Sequence, residues 1–504
     1  MNIKKTIGAF GLAAAIALTP QAGAFAAESG SSTSAGAIVS YGPNTLVKSD
    51  DSFWTWGLTR QQSVPTQIPE LKGAKTVPGD DRMVVLEDGS VRRLQPDNLM
   101  TSLKVEKVEG ITNPAAFSYT AEELALDTSG KVYKAARENG TLDTTRFTLL
   151  SGIGEVKDID GYSKYWQQGA NPVYLFLKSD GTVWSSTDSL AAFRQVPGLT
   201  GVKDISGDIA LKNDGTVWEL VQSSNKASQP LTAKQIRELS GIQSIKFEGS
   251  TYLAVDSQSR LWFWGNTLTG YSDSAVTHTQ ERPILLTGVK NVKEAFVAEK
   301  TLFALTSSGQ LYSTSLFREK LPANAPFSLL DSNIKTVKSG PRHLIMQKND
   351  GSLWGWGVNK DGSLGNGEYE FMEKTPVPMQ KPISVSLNGE NIAMNTGVVT
   401  KDGQNFVPLR SVFEKLGAKI TYEETSANKM ISITRGAAEG KPAINIGVSA
   451  KTGATTVNGE AVKLPNNPFN LNGTMYLPLR FISEKLGAQV VWQPDTQTIE
   501  ITMK

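Results

Sequence analysis

Eight times between Leu46 and Trp356 the chain repeats one pattern: a short apolar run, a tight polar turn, and a second run that often carries a tryptophan. The copies start at Leu46, Val84, Leu124, Leu175, Ile209, Leu253, Phe303 and Leu344. Their turns fall at Asp51, Gly89, Gly130, Gly181, Gly215, Ser259, Gly309 and Gly351, between 34 and 51 residues apart. Alternating apolar residues around a turn of Gly, Asp or Ser predict a β-hairpin, because the turn needs a residue that tolerates positive φ. A second piece precedes most copies: LTGVKDI at Leu199, SGIGEVKDI at Ser151, LTGVKNV at Leu286 and SNIKTV at Ser332. It adds one strand before each hairpin, and the segment after the hairpin supplies a fourth. Four short strands at this period make one propeller blade, whose sheet buries both faces only when neighbours stack on it. The fold class read here is mainly β: a multi-bladed β-propeller of seven to eight blades, eight by repeat count, over 38–380, plus a small duplicated α+β domain over 381–504.

The last copy, GSLWGWGVNKDGSLGNG, resembles the signature of the regulator of chromosome condensation repeat, and the seven weaker copies match its DGxVW part. The resemblance covers about 38–379 and implies a ring, commonly of seven blades. Secreted bacterial relatives of this propeller include an inhibitor that grips β-lactamases through one face, so protein binding is the role the resemblance implies. Exchange on a small GTPase and chromatin binding belong to nuclear members and are not expected here.

After Lys381 a different duplication begins. Asn388 to Tyr422 aligns without a gap with Asn458 to Trp492, at a constant offset of 70. In each copy a proline, Pro408 or Pro478, precedes a short helix whose apolar residues share one face, such as Leu409, Val412, Phe413 and Leu416. Gly417 or Gly487 ends it, and a strand pair follows. The VPLR…EKLGA core, found twice, resembles the stalk-type domain similar to the N-terminal domain of copper amine oxidases, known in exported proteins of Gram-positive bacteria. In those enzymes the copper lies in another domain, and 381–504 contains no histidine. Arg410 and Arg480 are read as structural, each paired with a local carboxylate or carbonyl.

The N-terminus has Lys4 and Lys5, an apolar run from Ile7 to Leu18, and the small-residue pattern Ala24-Phe25-Ala26. That is the layout of a secretory signal peptide over 1–26, with a linker over 27–37; the run is short for a membrane anchor. Its removal takes away two of 51 basic residues and leaves 49 against 49 acids, a net charge of zero. Nucleic acid is therefore not an expected partner. Cysteine is absent, so disulfides and thiolate metal sites are excluded. No later segment is apolar enough to span a membrane, and a secreted or cell-surface protein of Gram-positive-like export is expected.

Catalytic chemistry finds few candidates. His278 and His343 are the only histidines; His278 reads as a loop residue and His343 as core, and no cofactor or metal is expected. The loop 359–368 has calcium-like oxygens without the Asp-x-Asp-x-Asp-Gly order, and reads as a structural turn. Trp54, Trp184, Trp218, Trp262 and Trp354 share one repeat position, as packing between blades would produce. Two irregular stretches, 109–121 and 160–172, read as inserted loops of units three and four. Their Phe117, Tyr119, Tyr162, Tyr165 and Trp166 are the candidate binding residues, forming one aromatic patch on the ring face. The expected function is an exported, non-catalytic binding or scaffold protein, its partner an extracellular protein or cell-wall glycan. The alternative is a secreted enzyme with carboxylates in the propeller channel, and a carboxylate cluster there would favour it.

Overall fold

A computed structural model describes residues 36–163, 172–222, 231–270, 275–424, 429–437 and 442–503. Within 38–378 it contains eight antiparallel four-stranded sheets, each made of four strands consecutive in sequence. We number these blades one to eight: 38–67, 75–108, 114–149, 156–195, 202–235, 242–286, 292–331 and 334–378. From blade two to blade six, and between blades seven and eight, the first strands of neighbouring blades lie against one another, which places them around the axis of the ring. Each sheet seals against the next through its own apolar cluster, as Leu175 and Val183 of blade four do with Val202, Ile205 and Ala210 of blade five. The ring closes in the same way: Ile345 and Leu353 of blade eight pack with Leu46, Trp54 and Trp56 of blade one. Eight blades therefore close the ring.

The turn residues explain the repeat. All eight predicted turn positions have positive φ, including Asp51 at 62° and Ser259 at 57° where glycine is missing. The carbonyl of this residue then accepts an N–H from the chain leading into the next blade: Gly130 from Val156, Gly181 from Val202, Gly215 from Ile242 and Gly309 from Ile334, at 2.9–3.0 Å. One turn thus ends a hairpin and seats the following first strand.

The last blade has no successor, and the signature loop closes the ring in its place. Asn359 is fully buried; its Oδ1 accepts the Leu364 N–H and its Nδ2 donates to Asn366 and to the Glu368 carbonyl. The loop it organises reaches blade one, where Trp56 Nε1 donates to the Ser363 carbonyl at 2.9 Å and Gly367 N donates to the Ser63 carbonyl at 2.9 Å. A Cβ on Gly362 would come 2.6 Å from Ser63 Cα, so this close approach requires glycine.

The C-terminal domain is built on its duplication. Helices α1 (Leu409–Phe413) and α2 (Leu479–Lys485) follow the two prolines and bury Leu409, Val412 and Phe413, and Leu479 and Ile482. Gly417 and Gly487 take φ of 79° and 84° just beyond them. The strands Gln404–Pro408 and Thr474–Pro478 pair so that Val407 faces Leu477 and Phe406 faces Pro478. Equivalent residues of the two repeats therefore meet about a local two-fold. The first strand of this domain, Ser384–Leu387, pairs in parallel with the last, Thr498–Met503, closing one core around both repeats.

This domain grips blade one. Val64 packs with Val399, Phe406 and Tyr476, and the buried Lys48 Nζ donates to the Thr496 carbonyl at 2.8 Å and the Pro382 carbonyl at 3.4 Å. A Cβ on Gly397 would lie 2.0 Å from the Pro65 carbonyl oxygen. Asn472 Nδ2 donates to the Arg60 carbonyl.

Candidate functional site

The repeat tryptophans have a specific job at the turns. In blade four Trp184 Nε1 donates to Thr182 Oγ1 at 3.2 Å, and Thr182 Oγ1 donates to Asp180 at 2.6 Å. Lys178 Nζ lies 5.4 Å from the indole centre. The same relay links Trp218, Thr216 and Asp214, and Trp354, Ser352 and Asp350. Trp54 is fully buried, whereas Trp184, Trp218, Trp262 and Trp354 are half-buried, each lying against a blade core; Trp262 Nε1 bypasses the hydroxyl and donates directly to Asp256 at 3.0 Å. Hydrogen bonds from the Thr or Ser at these turns hold the Asp180, Asp214 and Asp350 carboxyls below the usual range.

Two of the five residues expected to form an aromatic patch on units three and four, Phe117 and Tyr162, are buried. Residues 114–119 are the first strand of blade three, not an inserted loop, and Phe117 is only 3% exposed, edge-on to Phe147 at 5.8 Å. Tyr162 ends the first strand of blade four, 7% exposed, with its OH donating to the Leu220 carbonyl at 3.4 Å. Both are core because they occupy inward positions of a first strand. Phe117 pairs with Ala125 in the register where Ile205 pairs with Ala210. Tyr119, at the strand's end, is 68% exposed. Tyr165 and Trp166 lie outside the described residues. His278 is in the strand Val276–Leu286 rather than a loop, its Nε2 2.7 Å from Thr269 Oγ1. His343 is buried, with Nε2 3.1 Å from the Pro43 carbonyl across the ring closure, and burial lowers its pKa.

The channel-facing strands carry what the sequence reading missed. Asp158 and Asp204 occupy the same register on the first strands of blades four and five, opposite Leu177 and Leu211. Burial between the strands, with Asp204 and Asp160 nearby, raises Asp158 to about 7. Burial also raises Asp204 and Asp160 to about 6. Asp160 is committed to the ring: it accepts the Gly161 N–H at 2.7 Å and, from blade five, the Gly207 N–H at 2.8 Å. Ser206 Oγ accepts the Phe247 N–H of blade six at 2.9 Å, and Glu248 accepts the Val297 N–H of blade seven. A latch of acceptors thus ties successive inner strands. In blade seven Glu294 falls at the Asp204 register, raised by burial despite the nearby Lys246 and Lys338. Asp158 and Asp204 remain as an acidic pair that burial pushes well above the usual carboxylate range. The repeated VKDI was the sequence signal for it. Among the described residues no three His, Cys, Asp or Glu side chains converge on a metal-sized site.

Residues 386–501 match the family described as Copper amine oxidase N-terminal domain. Those residues form a domain of that type. No curated protein matches the chain. Among solved structures, Prp20p of Saccharomyces cerevisiae, reported with its binding properties to Gsp1p and histones, is similar at 14% identity, over 69% of this chain and 87% of that one, with a TM-score of 0.40. Human WBSCR16 is similar at 15% identity, over 61% of this chain and 89% of that one, with a TM-score of 0.40.

Proposed function

We propose that the protein is an exported, non-catalytic binding or scaffold protein, in which the ring displays a surface to an extracellular protein or cell-wall glycan and the C-terminal domain spaces or attaches it at the cell surface. The observation that carries this reading is the docking geometry. The contacts joining the halves fall on blade one and the neighbouring loop of blade eight, at Lys48, Arg60, Val64 and Gln380. In a ring of eight, blades three and four lie away from that grip, so the rim at exposed Tyr119 is left for a partner. Tyr119, with Tyr165 and Trp166 of the adjoining blade, is the reduced form of the aromatic contact. A photo-crosslinking residue placed at 119 or 166 identifies the partner on native cells. Trp166→Ala and Tyr119→Ala are then expected to weaken it by about 2 kcal/mol, roughly thirtyfold, with melting temperature unchanged. Loss of stability with affinity intact would remove the rim from the reading.

A second reading is favoured by the Asp158 and Asp204 pair, whose proton affinity suits general acid or base work. It expects turnover of a glycan or peptide that Asp158→Asn abolishes, and that result would replace the binding role.

A further inference from the structure

The duplicated domain holds two grooves that its internal two-fold relates, and they have diverged. One, of about 250 Å³, combines Pro408, Leu409, Arg410 and Tyr422 of the first repeat with Gly473 and Thr474 of the second. The other, of about 610 Å³, combines Pro478, Leu479, Arg480 and Trp492 of the second repeat with Gly403 and Gln404 of the first. Each groove therefore takes its helix start and aromatic residue from one repeat and its hairpin turn from the other.

In the smaller groove the cation and the aromatic ring satisfy each other. The Arg410 guanidinium carbon lies 5.1 Å from the Tyr422 ring centre, and Arg410 Nε donates to the phenol oxygen at 3.3 Å. Lys429 Nζ also approaches that ring at 5.3 Å. In the larger groove the equivalent pair, Arg480 and Trp492, does not meet in this way, and the cation–ring contact there is Lys485 over Phe481 at 5.8 Å. Among the described residues no ion pair, side-chain hydrogen bond or ring contact engages Arg480 or Trp492, and Trp492 is 38% exposed.

We propose that the Arg480 groove binds a β-linked, gluco-configured pyranose chain. A pyranose with equatorial hydroxyls presents a flat C–H face, which an exposed indole covers while its rim stays wet. Around Trp492 the groove sets Arg480 as a donor, Glu484 as an acceptor, and the Gln404 and Asn405 amides, whose oxygens already accept from Asn466 and Thr400, as further donors, the mixture that sugar hydroxyls require. Arg480 and Glu484 offset each other in charge, which favours a neutral saccharide over an acidic polymer or acidic peptide. The site rests on this geometry alone, so its failure would leave the ring's partner binding untouched.

The test is titration of the mature full-length protein with cellohexaose and chitohexaose, read by calorimetry. Binding of either at one site per chain is expected, and the pair of probes reports whether an N-acetyl group is used. Trp492→Ala and Arg480→Ala should each weaken it at least about tenfold with unchanged melting temperature, while Arg410→Ala and Tyr422→Ala leave it as it was. No binding of either hexasaccharide, equal weakening by variants of both grooves, or tighter capture of a glutamate-rich peptide that Trp492→Ala abolishes would each overturn the assignment.

Discussion

At the turn of blade five, Trp218, Thr216 and Asp214 are linked donor to acceptor at 3.0 and 2.6 Å. Thr216→Val keeps the shape and strands the indole N–H; because that edge meets solvent, the expected loss is about 1 kcal/mol by denaturant unfolding. Trp218→Ala removes a half-buried ring as well and should cost more, about 2 to 3 kcal/mol. The aspartates divide by position. Turn carboxyls held low, such as Asp214, contribute stability above their unfolded value that is lost as the pH falls through the folded one. Asp158 and Asp204 have the opposite sign. Their folded values, about 7 and about 6, lie above the unfolded value, so the native state binds more protons between about pH 4 and 7 and loses stability as pH rises through that window. Melts from pH 4 to 8 should show Asp158→Asn raising the midpoint at pH 8 and leaving it unchanged at pH 4. The turn positions were legible residue by residue because only a few residue types tolerate positive φ. The relay was not, since Thr and Trp two apart look alike whether or not their side chains meet.

The blade is an element that hands its chain to the next one, and the latch of Asp160, Ser206 and Glu248 shows what the inner edge adds. Asp160→Ala would leave the Gly207 N–H without its acceptor between two packed sheets, a loss of about 1 to 3 kcal/mol, whereas Asp160→Asn keeps one accepting oxygen and should retain most of the stability. Chemical denaturation of both variants separates the acceptor from the charge. Repeat spacing revealed the hairpins and the strand before them, which is why the blade count could be read. It failed at blade three, where Pro114 and Ala116 replace the Val-Lys-Asp of other units and disguise a first strand as a loop. Phe117 and Tyr119 then looked free, although alternation along that strand buries one and exposes the other.

In the whole molecule the C-terminal domain has a complete core of its own, from Ile383 to Ile501, and a smaller one shared with Val64. A fragment spanning 381–504 should therefore melt cooperatively, but below the temperature it reaches when docked, because docking binds only its folded form. Lys48 is the contact to break. It is fully buried over Trp54; burial lowers its pKa, the Asp50 charge opposes that, and its Nζ donates to two carbonyls beyond the ring. Lys48→Met preserves the stem that packs on the indole and removes the donor, leaving the Thr496 and Pro382 carbonyls unmatched. The intact protein should melt in one transition, since ring and domain stabilise each other through blade one. The variant should melt in two, the lower coinciding with the isolated fragment. A single transition in Lys48→Met at the original temperature would mean that the Val64 cluster alone holds the halves together, and Val64→Asp would then be the substitution that separates them.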